Sequence, residues 1–364
     1  MKKTRTAAFI IALAMALTAA SCSKKNETAS ENDSAKTTTA ETTTETASDD
    51  QAEETTEEPS GDEDMENPFG KTADINDYIK TTDINPPLWK VTDNESGNSI
   101  YLLGTMHLLP ESAGDYPEKL MDIYKNCDAI AVEYDTVSLL EDTDALMQFQ
   151  QGFMYTDGTK ITDHISDETY TKLKNYFESI GGYNSLLDQF NAGYMINQLN
   201  SIMLLRLENL DTTGTDTHFI ELAKKDNKEV INIETLDTQV KALSAYSDDF
   251  AEYILSDSLD DMDNIDEYAE NIAEIYELWA NGSGDILFDS DMDIDDIPED
   301  LSDDYDEYKN TMLNERNKGM AEKASELLKE GKNCLFMVGA LHYSEDVGVD
   351  NLLEGMGYKV EKIA

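Results

Sequence analysis

Two segments far apart in the chain end in the same way. Residues 99–107 read SIYLLGTMH and residues 333–342 read NCLFMVGALH: an apolar run, a glycine, two spacers and a histidine. Runs of this length and β propensity read as buried strands, the first preceded by the turn-like stretch NESGN. His107 and His342 then stand just past the C-terminal ends of two strands, the rim where open sheets flanked by helices place their ligands. The chain has four histidines, and two of them carry this spacing.

The rest of the pattern fits the same architecture. Residues 88–91 and 100–103 bracket 94–98, which predicts a hairpin. PEKLMDIYKN (117–126) predicts a helix with Pro in its first turn and Leu120, Ile123 and Tyr124 on one face. AIAVEYD follows as a second buried strand ending at Glu133 and Asp135, so strand, helix and strand form a βαβ unit. Residues 138–208 read as helices: 167–180 opens on acidic residues and stops at Gly181 and Gly182, and 195–207 is apolar on most sides. Next come a helix in THFIELAKKDNK, a third strand in EVINIET and a helix in TLDTQVKAL. A long helix over 308–328 ended by Gly331, the second glycine–histidine strand, a helix over 349–356 and a last strand in YKVEKI close the chain. The expected fold is α/β, a central mixed sheet flanked by helices with a mostly helical middle region.

Outside this domain, residues 1–22 have a basic start, an apolar stretch and small residues leading into Cys22, the order of a secretory leader. Small residues before that Cys are similar to the lipobox of bacterial lipoproteins, which implies that Cys22 is acylated. Residues 23–85 are rich in Thr, Glu, Ser and Asp with almost no aliphatic side chain before Ile75, so they are expected to be a disordered tether. The folded part is expected over 86–364. The apolar run of the leader is short and nothing else in the chain reaches the ~20 apolar residues of a membrane span, so the membrane is expected as a partner through the lipid anchor only, and the expected location is extracytoplasmic, at the cell surface. Cys127 and Cys334 lie in or beside apolar runs and read either as a pair or as buried free thiols. With 27 basic against 77 acidic residues the formal charge is −50, which excludes a general nucleic-acid binder. Much of that charge sits in an insertion over about 247–307 that has no Lys or Arg. Within it DSDMDIDD has Asp289, Asp291, Asp293 and Asp295 at alternate positions, like a calcium loop, but Ile294 stands where that loop needs Gly and Asp300 where it needs Glu; a solvated acidic insertion is the expected reading.

Chemistry converges on strand ends. His107, Glu133, Glu234 and His342 each follow a strand, and two imidazoles with carboxylates make a ligand set for Zn, Mn, Co or Fe. A glycine before each histidine lets the chain turn sharply off the strand. Such a metal lowers the pKa of bound water, and Glu133 or Glu234 is placed to take the proton. Plainer roles compete: a histidine bonded to a nearby carbonyl, Glu133 closing a loop, Glu234 with Thr235 or Asp216 capping a helix. Arg316 either pairs with carboxylates, orients a substrate carboxylate or lies on a solvated face. His164 and His218 read as surface residues.

GTMH with AVEYD behind it, GTD before a helix, INIETLDTQ, NERN and GALHYSEDVGVDNLLEGMGYKVEKI, in this order, resemble the TraB/GumN family, which includes Tiki-type metalloproteases and TraB/PrgY pheromone-shutdown proteins. The resemblance covers 86–364. It implies an α/β fold with a central mixed sheet, motif histidines that bind or act with a divalent metal, and peptide hydrolysis in the Tiki branch. His107 and His342 match the motif histidines, Glu133 the acidic residue after the second strand, and Asp216, Glu234, Gln239 and Arg316 fall where the family keeps the same type. Ser344 departs from the family's usual Gly.

The expectation is a lipid-anchored metal-dependent hydrolase, a peptidase, in which His107, His342 and at least one of Glu133, Asp216 and Glu234 hold a divalent metal while a remaining carboxylate acts as base and Arg316 assists with charge. The alternative is a binding protein that captures a peptide in the same cleft without cutting it. The leader makes a direct prediction: wild-type protein takes up radiolabelled palmitate in a bacterial host and Cys22→Ser does not. Equal labelling of the variant would remove the anchor.

Overall fold

Alternating side chains along the strands build a sheet that is apolar on both faces. The computed structural model describes residue 67 and residues 69–283, 297–344 and 346–364. Six strands form the central sheet: β1 (Leu88–Thr92), β2 (Ser99–Thr105), β3 (Ala129–Val132), β4 (Glu229–Asn232), β5 (Cys334–Gly339) and β6 (Lys359–Lys362), in the order β6-β1-β2-β5-β3-β4. β2, β5, β3 and β4 run parallel, and β1 and β6 add antiparallel pairs at one edge. The sheet is therefore mixed, as expected. All of β5 is buried, which suits a parallel strand covered on both faces.

On one face Ile100, Leu102, Ala131, Phe336 and Val338 meet Met320, Ala324 and Leu328 of one helix and Leu353 of the last. On the other, Leu103, Ile130, Val132, Leu335 and Met337 meet Leu120 and Tyr124 of α1 (Glu118–Asn126) and Phe219 and Ile220 of the helix Gly214–Asp226. A third core lies beyond the C-terminal rim. It is built by α2 (Thr136–Glu141), α3 (Thr143–Gln151), α4 (Asp167–Ser179), α5 (Ala192–Leu204), α7 (Leu236–Leu243), α8 (Asp248–Asp260), α9 (Ile265–Ala280) and α10 (Ser302–Lys309), with the helix Gly214–Asp226 as α6. Met106, Leu108, Ala340 and Leu341, which follow β2 and β5, belong to this core. The helical middle region thus caps the rim, and the buried Trp279 of α9 donates its indole N–H to the Gly104 carbonyl at 2.9 Å. Among the described residues no helix is long and apolar enough to cross a membrane.

Several expectations change. The helix expected over 308–328 is present within one unbroken helical run over 302–330, but it holds a π-helical turn at Asn310–Asn314 between α10, which ends at Lys309, and α11 (Glu315–Glu330). Helical spacing in the sequence conceals one extra residue per turn. The folded part begins before residue 86, because Ala73–Asp74 pair in parallel with Leu207–Glu208 and Ile75 is fully buried. Buried Arg206 secures this strap by donating from Nε to the Lys71 carbonyl at 2.8 Å. Cys127 and Cys334 are buried free thiols. The leader, most of the expected tether and Asp289 to Asp295 lie outside the described residues.

Gly104 and Gly339 are not used for turning. Neither has positive φ; a Cβ on Gly104 would lie 2.7 Å from Pro87 Cγ and 3.2 Å from the Ala340 backbone, so the glycine permits close packing. The glycine whose conformation matters is Gly214, at the start of α6. Its φ is +59°, and a Cβ there would fall 2.3 Å from the His107 carbonyl. Thr215 N–H donates to the Met106 carbonyl at 2.8 Å, locking α6 against the loop that bears His107. Gly214→Ala is expected to destabilise the fold by about 2–4 kcal/mol, from left-handed strain plus overpacking. Urea denaturation checks this, and an unchanged midpoint would show that the loop yields freely.

Candidate active site

The parallel strands end level with one another: Thr105 of β2 pairs with Gly339 of β5, and Val132 of β3 pairs with Met337 of β5 and Asn232 of β4. The residues just past those ends therefore share one rim, in the spatial order His107, His342, Glu133, Glu234. Glu234 sits beside Glu133 through its backbone N–H, which donates to the Glu133 carbonyl at 3.0 Å. Thr235, and not Glu234, caps α7. Asp135, two residues past Glu133, caps α2.

Arg316 enters this rim from the first turn of α11, the helix that packs on one face of the sheet. Its guanidinium donates from Nε to Glu234 Oε1 at 2.9 Å, and from Nη2 to Glu234 Oε2 at 2.8 Å and Glu133 Oε2 at 2.7 Å. Nη1 donates to the Met312 carbonyl at 3.2 Å. The side chains of Arg316 and Glu234 are only 8% and 5% exposed, so this is a buried ion network and not a solvated helix face. Gln239 of α7 donates Nε2 to both carboxylates. Burial acts to raise the Glu133 pKa, but Arg316 and then the histidines outweigh it and hold the carboxyl well below its usual range. Burial raises Glu234, and the charge of Glu133 adds to that against the pull of Arg316. Two neighbouring carboxylates are thus driven apart in acidity.

The two motif histidines have different backing. His342 Nδ1 stands 2.6 Å from Asn317 Oδ1, while Asn317 Nδ2 donates to the Val347 carbonyl at 2.9 Å. That second bond fixes the amide so that its oxygen faces the ring, which places the His342 proton on Nδ1 and leaves the Nε2 lone pair bare. Nε2 lies 3.7 Å from Glu133 Oε1. Burial first, then Arg316, push the His342 pKa down to about 3, so the ring is neutral. His107 Nδ1 instead faces Asp216 Oδ2 at 2.7 Å, and Thr105 Oγ1 steadies Asp216 by donating to Oδ1 at 2.8 Å. The pair is held by charge, since the carboxylate lies off the N–H direction and neither atom has a straight hydrogen bond. Burial opposes the imidazolium, but Asp216 prevails and raises His107 to about 9.

These groups converge over Gly339. A Cβ built there would lie 3.4 Å from Glu133 Oε1, 3.8 Å from His342 Cδ2 and 4.0 Å from His107 Nε2, and the Gly339 N–H donates to Glu133 Oε1 at 2.8 Å. The absent side chain is what leaves the cradle open. A cavity of about 70 Å³ opens here into a basin of about 760 Å³ that includes its mouth to solvent. Its floor is His107, Glu133, Asp216, Gln239, Arg316 and His342; its wall includes Leu243 of α7 and Met312 and Leu313 of the π turn. Ser344 closes the turn after His342 by donating Oγ to the Leu341 carbonyl at 2.6 Å, so the backbone there does not require Gly.

The model of the TraB/PrgY/gumN family matches residues 87–362. The chain belongs to that family. No curated protein and no solved structure gives a significant match. All of the rim in this TraB/PrgY/gumN chain falls inside the matched stretch, whereas the strap at Ala73–Asp74 precedes it.

Every residue singled out at the rim from sequence reaches this cavity or touches a residue that lines it. Asp216 stands behind His107 and Glu234 behind Arg316, leaving His107 Nε2, His342 Nε2 and Glu133 Oε1 as the donors that face inward. His164 and His218 lie elsewhere, the first between Thr159 and Asp248, the second beside Tyr116. Asn317 and Thr105 were missed, although Asn317 adjoins Arg316 in NERN and Thr105 sits inside GTMH.

In the donor set, two imidazole nitrogens and a carboxylate oxygen, each histidine buttressed at its other nitrogen, suit a divalent metal. His342 Nε2 and Glu133 Oε1 stand 3.7 Å apart, near the about 3.4 Å that separates donors about 2.1 Å from a shared tetrahedral ion. Among the described residues, no group of three or more His, Cys, Asp or Glu is placed to hold an ion as it stands. Such an ion would require the donors to draw together and His107 to release its Nε2 proton. In chelator, the raised His107 pKa stabilises the fold fully below pH 6.5, and this contribution fades as pH climbs to about 9. Asp216→Asn should therefore cost about 2–3 kcal/mol at pH 6 and distinctly less at pH 10 by urea denaturation. A gap that does not change with pH would reject the ion pair.

Proposed function

We propose that this TraB/PrgY/gumN protein is a metal-dependent hydrolase acting on a peptide, held at the extracytoplasmic face by a lipid on Cys22. The observation that carries it is the meeting of His107 Nε2, His342 and Glu133 Oε1 over Gly339. These three side chains would hold Zn, Mn, Co or Fe. When bound, such an ion supplies a Lewis acid and water of near-neutral pKa. The chain's own residues prepare the site. Asn317 keeps His342 Nε2 free of a proton, and Asp216 sets the ring of His107. Arg316 and Gly339 N–H hold Glu133 ionised and in place, while Gln239 ties Glu133 to Glu234. Leu243, Met312 and Leu313 exclude bulk water from the reacting bond. Support for a peptide as substrate is the likeness of the motif order to the Tiki branch; support for the lipid anchor is the leader ending at Cys22.

One observation favours a second reading, capture of a peptide without cleavage: among the described residues no three such donors are placed to hold an ion as they stand, and a protonated His107 binds an acceptor without metal. Elemental analysis of protein purified in rich medium, joined to mass spectrometry of a peptide library after incubation, separates the two. Hydrolysis predicts about one bound ion per chain, lost together with cleavage in His107→Ala and His342→Ala, and cleavage reduced at least 10²-fold in Glu133→Gln. Intact peptides from metal-loaded protein would overturn it in favour of capture.

A further inference from the structure

The cavity has two unlike sides, and only one of them is occupied by the chemistry above. Tyr134, Leu243, Met312, Leu313 and Leu341 line the side contributed mainly by the cap, against the polar floor. Leu313 and Leu341 come from different elements, and both belong to the core of the helical layer, so this wall is the end of a packed core exposed to the site.

Arg316 is the obvious receiver for an acidic substrate group, but four of its five N–H donors are spent inside the protein and both carboxylates already match its charge. Its Nε and Nη2 serve Glu133 and Glu234, and its Nη1 serves the Met312 carbonyl. The π turn makes this possible, because it presents the Met312 carbonyl to Arg316 while turning Met312 and Leu313 toward the cavity. A substrate carboxylate laid on the apolar wall would lose water near Glu133 and Asp216, inside a chain of net charge −50, and the floor cation His107 is already matched by Asp216. A Lys side chain laid on the apolar wall would surrender water, and the carboxylates of the floor are already engaged, Glu133 by Arg316 and the Gly339 N–H and Asp216 by His107 and Thr105.

We infer that Tyr134, Leu243, Met312, Leu313 and Leu341 form a specificity pocket for one apolar side chain next to the bond that the site acts on. The substrate class is accordingly a peptide carrying a neutral apolar residue at that bond, not an acidic or basic one. This inference rests on the hydrolytic reading for the word substrate, but the pocket makes a claim about binding that stands apart from turnover. Leu243 closes α7 and Leu313 lies in the π turn, so pocket depth is set by two residues outside the ion network. Hydrophobic pockets discriminate by about 10–200-fold per methylene-scale change, which sets the size of effect to look for.

The test titrates the full chain, in chelator, with N-acetyl-leucinamide, N-acetyl-phenylalaninamide and the matching aspartate and lysine amides, by isothermal calorimetry. The expected result is binding of the leucine amide at least tenfold tighter than the aspartate and lysine amides. Leu313→Ala and Leu243→Ala should each weaken the leucine amide and strengthen the phenylalanine amide, a gain that misfolding cannot produce. Equal binding of all four, no binding of any, or an unchanged ranking in both variants would overturn the pocket. Cleavage of peptides with these residues at the scissile bond is followed in parallel. An intact binding preference without cleavage would sink the hydrolase and keep the pocket, whereas cleavage indifferent to an apolar or acidic neighbour would do the reverse.

Discussion

A guanidinium shared by two carboxylates lies at the junction of the sheet and its helical cap. Arg316 belongs to α11, Glu133 follows β3 and Glu234 follows β4, so three elements meet in one set of charges. Burying those charges is costly, and it is compensated only because nearly every polar atom finds a partner. Deleting one member of such a set leaves an unpaired charge and costs about 3–5 kcal/mol. The network also decides what is left over. With Oε2 of Glu133 committed to Arg316, Oε1 turns to the Gly339 N–H and to His342, which is the direction of the cavity.

The duplicated motif shows how identical local sequence acquires different electrostatics. Each histidine follows a strand and a glycine, and each is fixed through Nδ1. Behind His107 is an anion, Asp216, anchored by Thr105; behind His342 is a neutral amide, Asn317, anchored by the Val347 carbonyl. The first partner favours the charged ring and the second favours the neutral one, so one rim carries a proton donor and a bare lone pair side by side. Neither partner is adjacent in sequence to the ring it controls.

The strands of the sheet and the rim residues were legible because apolar runs and terminal polar residues are local signals. The alternation in β5, with Phe336 and Val338 on one face and Leu335 and Met337 on the other, falls within six letters of sequence. Roles were harder to read. Asp216 and Glu234 are acidic residues near strand ends, and sequence gives no means of telling a ligand from a residue that holds a ligand. The π turn was invisible because one extra residue leaves the polar and apolar spacing of 308–328 almost intact. Gly104 and Gly339 were recognised, but their use depends on what stands opposite: Pro87 and Ala340 for one, the cavity for the other. Ile75, Ile79 and Ile84 are the aliphatic cues that the chain folds earlier than its composition suggests, and the reason, a parallel pairing of Ala73–Asp74 with Leu207–Glu208, is contact across more than a hundred residues.

That strap has a mechanical side. It joins the body through two short parallel strands and the Arg206 clamp on Lys71, on the helical layer and away from the six-stranded sheet. Tension drawn along the N-terminal segment enters the molecule there and is shared with the α8–α9 turn, where Arg206 also grips the Met262 carbonyl. The load path therefore bypasses β2, β5, β3 and β4, and a protein suspended by that end can be tugged without prying open the rim that carries its chemistry.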